Sequence, residues 1–400
     1  MSVRYDDIAA LDAAYHLPTY ARKPVLFVRG EGMRLYDDDG AEYLDFIAGI
    51  GAVNLGHAHP AVAEAVCEQM TRLVHVSNLF QVEHRAALAR RLSELAGGEW
   101  KSFFCNSGTE AVEGAIKLAR RWGTARRGAT CHEIVSAERS FHGRTFGALS
   151  ATGQGSKQDA FAPLVPGFRH VPLNDLDALE AAVTDGTCAV LLEPVLGEGG
   201  VYPCDEAYLV AVRRLCDERK VLLIFDEVQT GFFRTGPAFA WQGYGVRPDV
   251  MALAKSLANG LPAGAVLATG SVAEAFSPGD HGSTFGGGPV ICAAALATIA
   301  SLEGERLGEN AWSVGAALRA SLEKLAEDTG AIAEVRGRGL MIGVELAEPV
   351  AQHVASAMFD RRIVVNAIGD RIVRFLPPLV CSAHEMDILT DTFSHVLEAK

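Results

Sequence analysis

The feature that most constrains this chain is a series of short, almost wholly apolar segments spaced along its middle. "SFFC" (102–105), "EIVSAE" (133–138), "CAVLLEP" (188–194), "VLLIFDE" (221–227), "DVMALA" (249–254) and "GAVLATG" (264–270) each read as a buried strand. Patterns of helical period precede them. "AVAEAVCEQMTRL" repeats apolar residues at Val62, Val66, Met70 and Leu73, and "RAALARRLSEL" does so at Leu88, Leu92 and Leu95. Strands with no polar face need cover on both sides, so an α/β fold with a mostly parallel sheet between helical layers is predicted.

The flanks have a different texture. "VLFVRGEGMRLYDDDGAEYLDF" (25–46) reads as an antiparallel meander with Gly and Asp turns. After "STFGGGP", long helices over about residues 290–302 and 310–328 lead to the strands "AEVRGRGLMIGVEL" and "RIVRFLPPL". A chain of 400 residues exceeds the usual single-domain size. The expected organisation is an N-terminal segment 1–58, a large domain 59–288, and a smaller α+β domain 289–400 that the N-terminal segment joins.

Composition excludes several classes. Hydrophobic residues at 49% and charged residues at 21% fit a soluble globular enzyme rather than a disordered chain. The formal net charge of −13 argues against nucleic acid or anionic membrane as a partner. No apolar run approaches the ~20 residues that span a bilayer, and "MSVRYDDIAALDAAYHL" has no export signal, so a cytoplasmic protein is expected. The eight cysteines form no C-x-x-C pair and read as buried, reduced thiols. His57 and His59 of "HAHP" lack a third ligand at obvious spacing, so no metal is expected and loop structure is the reading. "RGRG" (336–339) reads as a hairpin turn rather than a nucleic-acid contact.

The chemistry starts at Asp226-Glu227, where a buried strand ends on two carboxylates. A magnesium-nucleotide site would need G-x-x-x-x-G-K-[ST] upstream, and a dinucleotide site G-x-G-x-x-G; the chain has neither. Lys255 fits better, because it follows another buried strand, and strand carboxyl ends are where open α/β sheets build ligand sites. In "FFCNSGTEAVEGAIKLAR", Ser107, Gly108 and Thr109 open a helix and can offer backbone N–H groups to a phosphate. Phe141 of "FHGRT" supplies a flat aromatic face with Arg144 close by. Singly, each has a plainer reading: Lys255 as an exposed loop lysine, Ser107 or Thr109 as a helix cap. Together they are what pyridoxal 5′-phosphate requires: a lysine for its aldehyde, an aspartate for its pyridine nitrogen, amides for its phosphate and a stacking surface.

With those residues in hand, the chain resembles the class III, fold-type I aminotransferases, and among them the acetylornithine aminotransferases. The likeness runs through "VNLGHAHP", "NSGTEAVEGAIKLAR", "SFHGRT", "LEPVLGEGGV", "FDEVQTGFFRTG", "ALAKSLANGLPAGA", "STFGGGP" and "RFLPPL". "FDEVQTGFFRTG" and "STFGGGP" carry most of its specificity. The resemblance implies a large domain with a seven-stranded-type, mostly parallel sheet. It implies Lys255 as the Schiff-base lysine and proton carrier, Asp226 on the pyridine nitrogen, and Gln229 or a neighbour near the ring hydroxyl. Gly108 and Thr109 are implied at the phosphate, which Thr284 of a second subunit completes, and Phe141 and Val228 on the two ring faces. A homodimer with shared active sites follows.

For substrates, the resemblance implies Arg144 as the distal carboxylate clamp, with Tyr20 helping, and Arg374 as the proximal clamp for glutamate. Glu198 is implied as a gate that pairs with Arg374 while an ω-amine reacts. Arg374 as a structural ion-pair residue and Glu198 as a turn cap stay open as plainer readings. The expected reaction is transfer of the ω-amino group of N2-acetyl-L-ornithine to 2-oxoglutarate. Alternatives are succinylornithine, ornithine, succinyl-diaminopimelate or 4-aminobutyrate as donor, or an aminomutase of the glutamate-semialdehyde type. Two departures from the family pattern, Leu196 and Phe80, are expected near the substrate funnel. Glu227 has no assignment.

Overall fold

The computed structural model describes residues 5–399. A helix, Tyr5–Tyr15, with no buried residue precedes the meander β1 (Phe27–Glu31), β2 (Arg34–Asp37) and β3 (Glu42–Asp45), all antiparallel. Then come β4 (Trp100–Cys105), β5 (Glu133–Ala137), β6 (Phe168–Val171) and β7 (Thr187–Leu192). A small hairpin, β8 (Val195–Leu196) with β9 (Tyr202–Pro203), follows, and after it β10 (Leu222–Asp226), β11 (Val250–Leu253) and β12 (Gly264–Thr269). The C-terminal part contributes β13 (Ile332–Arg338), β14 (Met341–Leu346), β15 (Ile363–Val364), β16 (Asn366–Ile368) and β17 (Ile372–Phe375).

Seven strands form the central sheet in the order β4-β12-β11-β10-β7-β5-β6. β12 runs antiparallel to both of its neighbours, and every other adjacent pair is parallel. Successive side chains on a strand face opposite ways, and the two cores record it. Leu191, Ile224 and Ala252 pack with Ala115, Ile116 and Ala119 of the helix Gly108–Arg127. Their chain neighbours Val190, Leu192, Leu223 and Phe225 pack with Leu209, Val212 and Leu215 of the helix Glu206–Arg219. Each such side chain, removed from water, contributes about 1.5–3 kcal/mol, which explains why these strands carry no polar face. β6 differs: its "FRHV" has one buried residue of four and sits at the sheet edge, a pattern too mixed to stand out in sequence.

The two ends of the chain meet. β3 pairs in parallel with β15, placing the N-terminal meander in one sheet with a C-terminal strand. A second C-terminal sheet runs β13-β14-β17-β16, antiparallel throughout. One apolar cluster, holding Phe46, Leu88, Leu253, Cys292 and Phe375, runs across residues 58/59 and 288/289.

At the same junction lies Arg234, wholly buried. It donates to Leu340 O (3.0 Å), Pro377 O (2.5 Å) and Asn54 Oδ1 (2.5 Å), while Asn54 Nδ2 donates to Phe232 O at 2.8 Å. Among the described residues no carboxylate pairs with it, and burial pushes its guanidinium down to about 9. Elsewhere, His57 pairs with Asp45 at 2.8 Å and His59 with Glu305 at 3.0 Å. Seven cysteines are buried and Cys67 is exposed. Among the described residues no helix is long and apolar enough to cross a membrane.

Candidate active site

The carboxyl ends of β4, β5, β7, β10 and β11 converge on one cavity of about 350 Å3. Ser107, Gly108, Thr109, Phe141, Arg144, Glu198, Asp226, Val228, Gln229 and Lys255 all line it. A cofactor-sized molecule fits such a volume. The convergence follows from topology: in a doubly wound sheet the strand-to-helix loops gather on the carboxyl side.

One end of the cavity seeks an anion. Ser107 caps the helix Gly108–Arg127, its Oγ accepting from the N–H of Glu110 at 3.3 Å. Among the described residues the N–H groups of Gly108 and Thr109 have no acceptor, so a helix N-terminus points two free donors at the cavity. Thr109 Oγ1 accepts from the N–H groups of Arg144 and Thr145, both at 3.1 Å, tying this turn to the "FHGRT" loop. A Cβ at position 108 would lie 2.8 Å from Val228 Cγ1, so only glycine lets Val228 close over the turn.

Asp226 is buried and doubly held. Its Oδ1 accepts from the N–H of Val228 at 3.0 Å and its Oδ2 faces His142 Nδ1 at 2.8 Å. His142 is itself fixed by its N–H donating to Thr152 Oγ1 at 2.9 Å. Sequence reasoning passed over His142; its only signal was its place in "FHGRT". It also passed over Glu193, at the end of β7, which accepts from the N–H groups of Phe141 (2.8 Å) and Gly197 (2.9 Å). Burial, with Asp226 nearby, pushes Glu193 up to about 7 against the opposing pull of His142. Glu227 points away from the cavity. It accepts from Thr230 Oγ1 (2.5 Å) and the N–H groups of Ala240 (2.9 Å) and Trp241 (2.8 Å), which supplies its missing assignment as an internal tie.

Lys255 follows β11 with φ of 45°, a left-handed backbone that turns the residue out of the strand. Among the described residues its amine makes no ion pair. Burial lowers its pKa and Arg374 adds to the effect, while Glu198, Asp226 and Glu193 oppose it. An amine so placed is neutral more often than a surface lysine and is a better nucleophile and base.

Arg374 lies behind the cavity lining, 1% exposed. Its Nη1 donates to Glu198 Oε1 at 2.6 Å and to Gly197 O at 3.1 Å, and Asn366 Oδ1 accepts from Nε (3.1 Å) and Nη2 (2.6 Å). Gln229 touches the pair, 3.4 Å from Arg374 and 3.5 Å from Glu198. Burial alone would raise Glu198, but Arg374, with Lys255 and Gln229, holds it below the ordinary carboxylate range. Arg144 is exposed at the cavity rim, pairs with no carboxylate among the described residues, and lies 5.6 Å from the Phe141 ring centroid.

Two expected residues lie outside this cavity. Tyr20 is exposed, and Thr284 is exposed beside Phe285 in a turn whose glycines pack against Phe104 and Cys105. Of the two departures, Phe80 is exposed and Leu196 is not in the funnel. Leu196 is buried among Val135, Val190 and Tyr202, because its position on β8 points it into the core.

A model of the "Aminotransferase class-III" family matches residues 17–397. The chain belongs to the class III aminotransferases. This aminotransferase is 47% identical to the acetylornithine aminotransferase of Methanocaldococcus jannaschii over 386 residues, 96% of each chain. It is 50% identical to that of Gloeobacter violaceus over 370 residues, 92% of each. Among solved structures, an ornithine aminotransferase from Toxoplasma gondii with partial occupancy of PLP at its active site matches with a TM-score of 0.95 at 34% identity. That match covers all of this aminotransferase and 95% of the other chain. The fold is therefore fold type I, and the cofactor of this aminotransferase is pyridoxal phosphate. Its residues fit that group: two unpartnered amides for a phosphate, a buried carboxylate, and a lysine amine with no ion-pair partner.

Proposed function

We propose that the chain transfers the 5-amino group of N2-acetyl-L-ornithine to 2-oxoglutarate, giving N-acetyl-L-glutamate 5-semialdehyde and L-glutamate in arginine biosynthesis. The observation that carries this is the pair between buried Arg374 and half-buried Glu198 at 2.6 Å, with Arg144 left unpaired at the rim among the described residues. An ω-amino donor brings one α-carboxylate far from its reacting amine, and Arg144 is the cation free to take it, with Tyr20 assisting. 2-Oxoglutarate brings two carboxylates. It needs Glu198 to leave Arg374 so that both arginines are filled, each by a planar fork.

Pyridoxal phosphate supplies, when bound, a carbonyl that takes up the amino group and a ring that accepts electrons. Lys255 would hold it, and its Nζ is the base that removes the proton from the donor's amine-bearing carbon. Asp226, kept oriented by His142 and the Val228 N–H, would hold the ring nitrogen. The N–H groups of Gly108 and Thr109, at the helix end capped by Ser107, would hold the phosphate. Phe141 and Val228 would hold the ring between them, and Gln229 would approach its hydroxyl. The molecule works as a cytoplasmic homodimer, in which Thr284 reaches the other subunit's phosphate site. The exposure of Leu79, Phe80 and Phe285 supports a covered face there.

Lys255→Ala tests the assignment: multiple-turnover transamination should disappear, and its persistence would overturn the reading. Free ornithine is the second reading, favoured by the likeness to the Toxoplasma gondii enzyme. A panel of acetylated, succinylated and free ornithine with 2-oxoglutarate separates the two by kcat/KM, with acetylornithine expected to lead.

A further inference from the structure

Arg336, first of the "RGRG" residues, is buried, and its surroundings lead back to Glu198. In the C-terminal sheet Arg336 pairs with Gly343 of β14, Gly343 with Arg374 of β17, and Arg374 with Asn366 of β16. Residues in one cross-strand row share a face of the sheet. The hairpin between β8 and β9, residues 197–201, rests on that row. A Cβ at position 343 would lie 2.9 Å from Val201 Cβ and 3.1 Å from Gly200 O, so the glycine is the seat. On one side Arg374 donates to Gly197 O and Glu198; on the other Arg336 Nε donates to Gly200 O at 3.0 Å.

A third guanidinium completes the grip. Arg139 Nη2 donates to Gly199 O at 3.0 Å, and Arg139 and Arg336 lie 4.2 Å and 3.7 Å from the ring centroid of Tyr202. Such cation–π contacts draw the ring to both guanidinium groups. Arg336 Nη1 reaches Glu334 and Glu345, both at 2.8 Å, and Glu345 also accepts from the Tyr202 hydroxyl at 3.0 Å. Three carbonyls of the hairpin turn, at Gly197, Gly199 and Gly200 on either side of Glu198, are thus held by arginines.

We propose that Arg336, Gly343, Tyr202 and Arg139 form a seat that fixes the 197–201 hairpin and so sets how readily Glu198 leaves Arg374. They are positioning residues for the choice between an ω-amino donor and a dicarboxylate. The inference rests on the proposed gate role of Glu198. Loosening the seat leaves Arg374 uncovered more of the time, and apparent affinity for a dicarboxylate scales with the fraction of open protein.

The test uses the holoenzyme and measures the two half-reactions separately, by single turnover with acetylornithine and with glutamate. In Tyr202→Leu and Arg336→Met the ratio of donor to glutamate efficiency should fall ~5-fold, with glutarate binding several-fold tighter by calorimetry. Tyr202→Phe keeps the ring and should hold both values within ~2-fold of the parent. Arg139→Gln, at an exposed position that a stable fold tolerates, should move both the same way if the buried variants do not fold. Glu198→Gln should lower the ratio by itself, and adding Tyr202→Leu to it should bring little further change, because both act through one group. If Glu198→Gln leaves the ratio unchanged, the gate and the seat both fall. If Glu198→Gln moves it while Tyr202→Leu and Arg139→Gln do not, or if Tyr202→Phe moves it as far as Tyr202→Leu, the seat alone is overturned.

Discussion

Asp226 and Glu227 are neighbours in the chain, both carboxylates and both buried, yet they do opposite things. Asp226 ends β10 lining the cavity, where one oxygen meets an imidazole nitrogen and the other a single backbone N–H. Glu227 turns the other way and spends both oxygens on one hydroxyl and two backbone N–H groups. The same residue class lines a cavity in one place and serves as a fastener in the other, where its environment fills it. Direction from the strand end decides which.

Substitutions can break that contrast. The largest effect is expected from Asp226→Asn: kcat/KM should fall at least ~100-fold, with the melting temperature within ~3 °C of the parent. Glu227→Ala should do the reverse. It leaves three donors without an acceptor, so urea unfolding should show a loss of about 3 kcal/mol, with the folded enzyme retaining near-parental kcat/KM. A smaller effect is expected from His142→Phe, which removes one charge-assisted hydrogen bond from Asp226. It should cost ~10-fold in kcat with little change in KM.

The smallest is a pH effect. Burial pushes Glu227 up to about 7, above its ordinary 4.5, so folding favours its protonated form. That contribution is complete below the unfolded value and is lost as pH rises through about 7. Between about pH 6 and 8 the parent should lose ~1 kcal/mol of stability that Glu227→Gln does not lose.

Most of the central sheet was legible because its strands are apolar on both faces, a pattern that few other structures produce. The lysine, the aspartate and the helix N-terminus were legible for the same reason, since each follows such a strand directly. What escaped was set by pairing in space. Nothing local distinguishes β12 from its parallel neighbours, and "FRHV" is too polar to announce an edge strand. His142 and Glu193 look ordinary until the ends of β5, β7 and β10 are brought together. Leu196 was expected near the funnel as a departure from the family pattern, but the short β8 strand turns it inward while the hairpin beyond carries Glu198 back to the cavity.

Arg234 has a consequence for the order of events during synthesis. Its three acceptors come from residues 54, 340 and 377, and the last is 143 positions further along the chain. Until that stretch emerges, Arg234 lacks two of its three acceptors and part of its cover and has only water to satisfy it, and contacts so distant in sequence form late. The strand ends that build the cavity are all complete by residue 255, but the fastening behind them waits for the final tenth of the chain. An incomplete polypeptide would therefore hold nearly every cavity-lining side chain and still lack the contacts that brace the loop behind them.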